Sequence, residues 1–333
     1  MAALGLPAII QGGMGAAVSN WELARTVASC GQLGVVSGTA LETVVVRRLQ
    51  NGDPGGHMRE ALAHFPYPEV TERLLKTFYL ENGRQGKPYR PIQKISIKAN
   101  NELDQLVAAA NFAEVWLAKQ AGTGKVGINF LEKLQTATPA ALYGAMLAGV
   151  DAILMGAGIP REIPQLMTDF SQGKSGGLSI DSERPNGTDA PVLRFDPQAA
   201  FGKAPELNRP HFLAIVTAEV LASYLARNEV TRPEGFVVEH YQAGGHNAPP
   251  RRMQDTETGY GPLDEANIEK IRDVGLPFWL AGGRATPESV KEAVELGAEG
   301  VQVGSLFALS NESGLLQEYR DQMLQAAREA GGD

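Results

Sequence analysis

Pro7-Ala8-Ile9-Ile10-Gln11-Gly12-Gly13-Met14-Gly15 opens the chain with a short apolar run that breaks off in glycine, and a segment with helical apolar spacing follows it. Ser19 and Glu22 have the spacing of a capping box, and Gly31 supplies a stop, so this stretch predicts one strand and one helix. The same alternation recurs outward along the chain. Leu33 to Ser37 reads as a second strand with Thr39 to Gln50 as its helix, then Lys125 to Phe130 and Asp151 to Met155 as the third and fourth. Thr138-Pro139 would open the helix between those two and Gly149 would close it. Phe212 to Val216, Gly235 to His240, Leu276 to Leu280 and Gly300 to Val303 complete the set, with Thr217-Ala218-Glu219 and Thr286-Pro287-Glu288 as helix starts.

Eight strand-helix units are the count that a closed barrel requires, whereas an open doubly wound sheet would more often show five to seven strands. The expected fold is therefore α/β, a (β/α)8 TIM barrel with insertions after strands 2 and 4. Residues 1–333 would form one domain, and 51–124 and 165–210 are the segments outside the repeat. Both follow carboxyl ends of strands, so they fit lids or substrate walls, with packing or a homodimer contact as the plainer use.

With 333 residues, 43% of them hydrophobic, the chain needs no disulfide scaffold. Thirty Lys plus Arg against 38 Asp plus Glu gives a net charge of -8, which provides no basic field for nucleic acid or an anionic membrane. A single cysteine, Cys30, fits a reducing compartment and reads as a buried packing residue in the first helix. Met1 to Ile10 lacks a basic signal-peptide start and no apolar run reaches the roughly 20 residues of a membrane span, so a cytoplasmic location is expected. No His pair has metal-ligand spacing joined to a carboxylate, so no catalytic metal is expected.

The 38 glycines exceed an average share of about 7%, and their positions matter more than their number. Just past the strands stand Gln11-Gly12-Gly13-Met14, Asn129, Glu239-His240, Ala243-Gly244-Gly245-His246, Ala281-Gly282-Gly283 and Gly304-Ser305. Every one of these would face the same mouth of a barrel. Missing side chains let backbone N–H groups approach a ligand, and glycine-bearing loops after strands seven and eight are the usual phosphate seat of such barrels. Sugar phosphates and a flavin mononucleotide fit that pattern equally.

The run Pro7 to Met14, with Gly127-Ile128-Asn129-Phe130, Ala243-Gly244-Gly245-His246, Phe278-Trp279-Leu280-Ala281-Gly282-Gly283-Arg284 and Gly300-Val301-Gln302-Val303-Gly304-Ser305-Leu306-Phe307, resembles the ordered motifs of the nitronate monooxygenase (2-nitropropane dioxygenase-like) family, whose superfamily comprises FMN-dependent TIM barrels. The resemblance implies a non-covalent FMN. Its phosphate would rest on Gly282, Gly283, Gly304 and Ser305, and its ring on the backbone of Gly12, Gly13 and Met14. Asn129 would hydrogen-bond it, and Gln11, Glu239, Ala243, Gly244, Gly245 and Ala281 would complete the binding set. His246 would stand over the ring as the catalytic residue, moving the proton next to a nitro group.

The chain departs from that pattern twice. Glu239 stands where the family commonly has a glutamine, and Asn247-Ala248-Pro249-Pro250-Arg251-Arg252 replaces a small continuation, so that either arginine would face an anionic ligand or solvent. The implied activity is a flavoprotein oxidoreductase, a monooxygenase that oxidises nitronates or nitroalkanes with dioxygen to a carbonyl and nitrite. The alternative is an NAD(P)H-dependent reductase of enoyl thioesters, enones or quinones, and a third reading is a flavin carrier or synthase subunit without turnover of its own.

Overall fold

The computed structural model describes residues 4–98, 100–120, 122–180, 191–245, 249–253, 256 and 258–329. In chain order the strands are β1 (Ile9–Gln11), β2 (Gly34–Ser37), β3 (Val126–Leu131), β4 (Ala152–Gly156), β5 (Gly176–Ser179), β6 (Val192–Phe195), β7 (His211–Val216), β8 (Gly235–Glu239), β9 (Phe278–Ala281) and β10 (Gly300–Val303). Eight of them form one parallel sheet in the order β1-β10-β9-β8-β7-β4-β3-β2. An Ile10–Leu33 bridge, with Gln11 N donating to Leu33 O at 2.9 Å and Leu33 N to Ile9 O at 3.0 Å, joins its two edges. The barrel is thereby closed, as the eight-unit count predicts. All eight expected strands are present with ends shifted by at most two residues, and β5 with β6 adds an antiparallel pair outside the barrel.

Strand parity divides the core. Ile10, Leu33, Val35, Ala152, Leu154, Leu213, Val237, Trp279 and Ala281 turn inward and fill the barrel, with Trp279 Nε1 donating to Pro7 O at 3.0 Å. The alternate residues, among them Val36, Ile128, Ile153, Phe212, Phe236, Phe278 and Val301, face the surrounding helices. Burial on both faces explains why these strands read as continuous apolar runs.

Between β2 and β3 the helix Asn101–Lys119 packs against the first helix, Trp21–Ser29, and the helix Thr138–Leu147. The segments Leu41–Gln50, His57–Ala63 and Pro68–Phe78 lie against it as a further layer. The short apolar spacing of His57–Ala63, a helix absent from the sequence expectation, is hidden by Pro54-Gly55-Gly56 immediately before it. In the second irregular stretch, the pair β5 and β6 touches Thr138–Leu147, and the short helix Pro197–Phe201 packs on Asn101–Lys119.

Two local readings are corrected. The first helix is capped by Asn20, whose Oδ1 accepts from Leu23 N at 3.0 Å, and not by Ser19, whose hydroxyl is used elsewhere. Cys30 is exposed, because the buried face of that helix runs through Leu23, Ala24, Val27 and Ala28 and position 30 falls off it at the cap.

Candidate functional site

A cavity of about 690 Å³ opens at the carboxyl ends of the barrel strands. That lies within the range of about 300–1,000 Å³ usual for small-molecule sites. Its floor is the last inward-facing layer of the barrel. Continuing the strand parity past the apolar filling, the next inward positions are Ser37, Asn129, Leu131, Gly156, Ile215, Glu239, Ala281 and Gln302, and all of these line the cavity. The rim is made by the loops that follow, Gly12 to Ala16, Gln242 to Gly245, Gly282 to Ala285 and Gly304 to Leu306.

Of the residues read from the sequence, Gly12, Gly13, Met14, Asn129, Glu239, Ala243, Gly244, Gly245, Ala281, Gly282, Gly283, Gly304 and Ser305 are brought together here. Gln11 is not. It is fully buried away from the cavity, its Nε2 donates to Gly12 O and Ser19 Oγ, and its Oε1 accepts from Val35 N at 3.0 Å, so both amide donors are spent on the fold. Gln11 and Ser19 act from behind, since Ser19 Oγ also accepts from Met14 N at 3.0 Å and donates to Gly12 O at 3.1 Å. Together they fix the shape of the Gly12-Gly13-Met14 turn. His246 lies outside the described residues; the last described residue of its loop, Gly245, lines the cavity.

Two glycines are there for close approach. A Cβ at Gly13 would lie 2.5 Å from Asn129 Cβ, and one at Gly282, where φ is +92°, would lie 2.9 Å from His240 Cβ. The first brings the β1 loop down onto the Asn129 amide, and the second packs the β9 loop against the β8 loop.

Residues that the sequence reading did not single out complete the site. Arg284 lines the cavity beside the glycine loops, with Nη1 2.6 Å from Glu292 Oε2. Gln302 lines it from β10, and its Oε1 is buried without a hydrogen-bond partner. A buried amide oxygen with no protein donor has a lone pair open to a water or a ligand N–H. Both residues stand inside quoted motifs, and parity counted back from the inward Trp279 and along β10 is the signal that would have found Gln302. Arg251 lines a small recess on the far side of Glu239 together with Thr217, Tyr241, Tyr260 and Asp264, while Arg252 is exposed.

Glu239 is the charge question of the site. Burial alone pushes its carboxyl up to about 7, because no cation or donor offsets the lost hydration. His240, next along the strand, turns the opposite way, with Nε2 3.5 Å from Glu265 Oε1 and its ring against Tyr241. His57 and His64 sit against Trp21 and Trp116 on the helical flank.

Neither irregular stretch contributes a described residue to the cavity wall. The described residues of 51–124 and 165–210 lie on the barrel flank, where their apolar faces cover the helical layer.

Residues 203–331 match the family model of nitronate monooxygenase. That span holds β7 to β10 and three of the five motifs, so the resemblance read from the sequence is borne out over the half of the barrel that carries Glu239, Gly282, Gly283, Gln302 and Ser305. A probable nitronate monooxygenase of Staphylococcus saprophyticus is 28% identical over 124 residues, 36% of this chain and 34% of that protein. The nitronate monooxygenase npaC of Metarhizium robertsii is 28% identical over 102 residues, 31% of this chain and 27% of that one. The matched part thus spans about a third of these curated relatives. FabK from Thermotoga maritima superposes with a TM-score of 0.53 at 16% identity, covering 95% of this chain and 64% of that one. A nitroalkane oxidase from Streptomyces ansochromogenes gives 0.51 at 14% identity, covering 95% and 70%. At these identities the two structures speak for the barrel fold. Among the described residues no helix is long and apolar enough to cross a membrane.

Proposed function

We propose that this chain is an FMN-dependent oxidoreductase that oxidises nitronates or nitroalkanes with dioxygen. The observation that carries the reading is the glycine-walled cavity at the barrel mouth, which holds one buried amide oxygen, Gln302 Oε1, lacking a donor. The residues present fit a flavin phosphate and ring. Gly283, Gly304 and Ser305 leave backbone N–H groups and a hydroxyl open to an anion, with Arg284 beside them, and Gly12, Gly13 and Met14 give a flat ring backbone rather than side chains to lie on. Asn129 offers an amide from below, positioned by the close contact with Gly13. When bound, the flavin would supply the electron transfer between substrate and dioxygen.

What the chain itself supplies is enclosure and proton handling. Leu131, Ile215 and Met14 give part of the cavity an apolar wall, where a bound ring would displace water and strengthen each polar contact left inside. His246 follows Gly245 directly, and an imidazole there would take the proton from the carbon next to the nitro group at neutral pH. Glycine at 244 and 245 leaves that side of the cavity without bulk.

The reading is tested by supplying FMN-loaded protein with propyl-1-nitronate in air and following oxygen uptake and nitrite. Nitrite release with oxygen uptake is expected. Rapid NAD(P)H oxidation with an enone or quinone and no nitrite from the nitronate would transfer the site to the reductase class.

A further inference from the structure

The structure assigns a two-point reader to the cavity floor: we propose that Glu239, holding its proton, donates a hydrogen bond to a ring carbonyl of the bound flavin while Gln302 Oε1 accepts a ring N–H. This rests on the flavin reading above and adds the chemical form in which the chain recognises the ring.

The geometry begins with register. Ala281 pairs with Glu239 on β8 and with Gln302 on β10, so the three residues form one row across adjacent parallel strands. Neighbouring strands are about 4.8 Å apart, which places the outer two Cα atoms about 10 Å from each other. All three side chains point into the cavity, and the middle one is a methyl group. The row is therefore a gap flanked by an amide and a carboxyl group.

Both flanking groups are incomplete. Gln302 Oε1 is buried without a donor, and no described residue hydrogen-bonds or pairs with the Glu239 carboxyl. An unpartnered carboxylate on a half-buried wall is costly, and a neutral carboxyl that donates is the cheaper form. Its pKa of about 7, raised by burial, agrees with that form. A flavin's pyrimidine edge presents N–H between carbonyl oxygens, which is the complement of one acceptor and one donor. A sugar phosphate alone offers no such edge.

The charged groups around Glu239 come from several elements. Arg251, Asp264, Tyr241 and Tyr260 line the recess behind it, and Arg284, in the loop after β9, lines the cavity and pairs with Glu292. Glu219, at the start of the helix after β7, faces Lys270, and His240 faces Glu265. None of these described groups lies within ion-pair distance of the Glu239 carboxyl.

The test is a binding measurement on the flavin-free full chain, by quenching of flavin fluorescence from pH 5.5 to 8.5. Riboflavin is the primary probe, since the FMN phosphate itself titrates near pH 6. For the wild type, riboflavin affinity is expected to fall about tenfold or more between pH 6 and 8.5 as Glu239 ionises. Glu239→Gln should be flat within about twofold and bind more tightly than the wild type at pH 8.5, while Gln302→Leu binds more weakly at every pH with the wild-type slope. A pH-independent wild type, or Glu239→Gln with the wild-type slope, overturns the proposal and leaves the flavin reading standing. Folded wild type that binds neither riboflavin nor FMN at any pH overturns both.

Discussion

Gly13 and Asn129 are in closer apposition than any side chain at position 13 would allow: a Cβ there would stand 2.5 Å from Asn129 Cβ. The first loop of the barrel is thus seated on the amide that the third strand raises into the cavity. Gly13→Ala is expected to push Asn129 aside or lift the loop, weakening FMN binding by about tenfold or more, roughly 1.4 kcal/mol, with little loss of fold. Fluorescence titration of the variant against the wild type checks this, and unchanged affinity would mean that Asn129 contributes nothing to the ligand.

Ser19 holds the same loop from the other side through Met14 N and Gly12 O. Ser19→Ala leaves Met14 N and Gln11 Nε2 short of a partner, and a buried unpaired donor costs about 1–3 kcal/mol. The expected signature is a lower denaturation midpoint together with weaker FMN binding, because the turn that loses support also lines the cavity. A loss of stability with intact affinity would separate the turn from the site.

Stability should also depend on pH through Glu239. Its carboxyl is raised by burial from 4.5 to about 7, so the flavin-free folded chain holds that proton more tightly than the unfolded chain does. The stabilisation is therefore full at acid pH and is lost as pH rises from about 4.5 through 7. Allowing for solvent screening at a half-buried position, about 1–3 kcal/mol is at stake. Denaturant titrations at pH 5 and pH 8 should show Glu239→Gln gaining on the wild type at the higher pH only.

On the flank, Glu114 is fully buried in the Asn101–Lys119 helix, accepts from Trp21 N at 3.1 Å and pairs with Arg48. Arg48→Ala strands a carboxyl in the core, and about 3 kcal/mol of destabilisation is expected, read as a shift in the urea midpoint. FMN affinity measured at a temperature where the variant is folded should not change, since none of these residues lines the cavity.

The barrel was legible because its strands are buried on both faces and end in glycine, so each apolar run with its break stands out without knowledge of the partners. Most of the cavity residues followed from that, being whatever comes after a strand. Gln11 is the exception, because the motif that contains it does not tell a side chain used for support from one left free for a ligand. Gln302 lies within a strand rather than after one, so its inward parity marks it and a strand end does not. Ser19 and Asn20 are both good caps, and only the demand of the Gly12–Met14 turn for a hydroxyl decides between them. Helix His57–Ala63 and the placement of the two irregular stretches on the flank rest on tertiary burial that local spacing does not encode.

The central claim is that the cavity at the barrel mouth is a flavin site. Its most direct measurement is the titration of the flavin-free full chain with FMN, followed by flavin fluorescence and the visible spectrum. One equivalent should bind, with a perturbed spectrum, and Gly304→Val, which would put a branched side chain beside Met14 in the loop after β10, should abolish it. A folded wild type that takes up no FMN, or uptake that Gly304→Val leaves untouched, would contradict the claim.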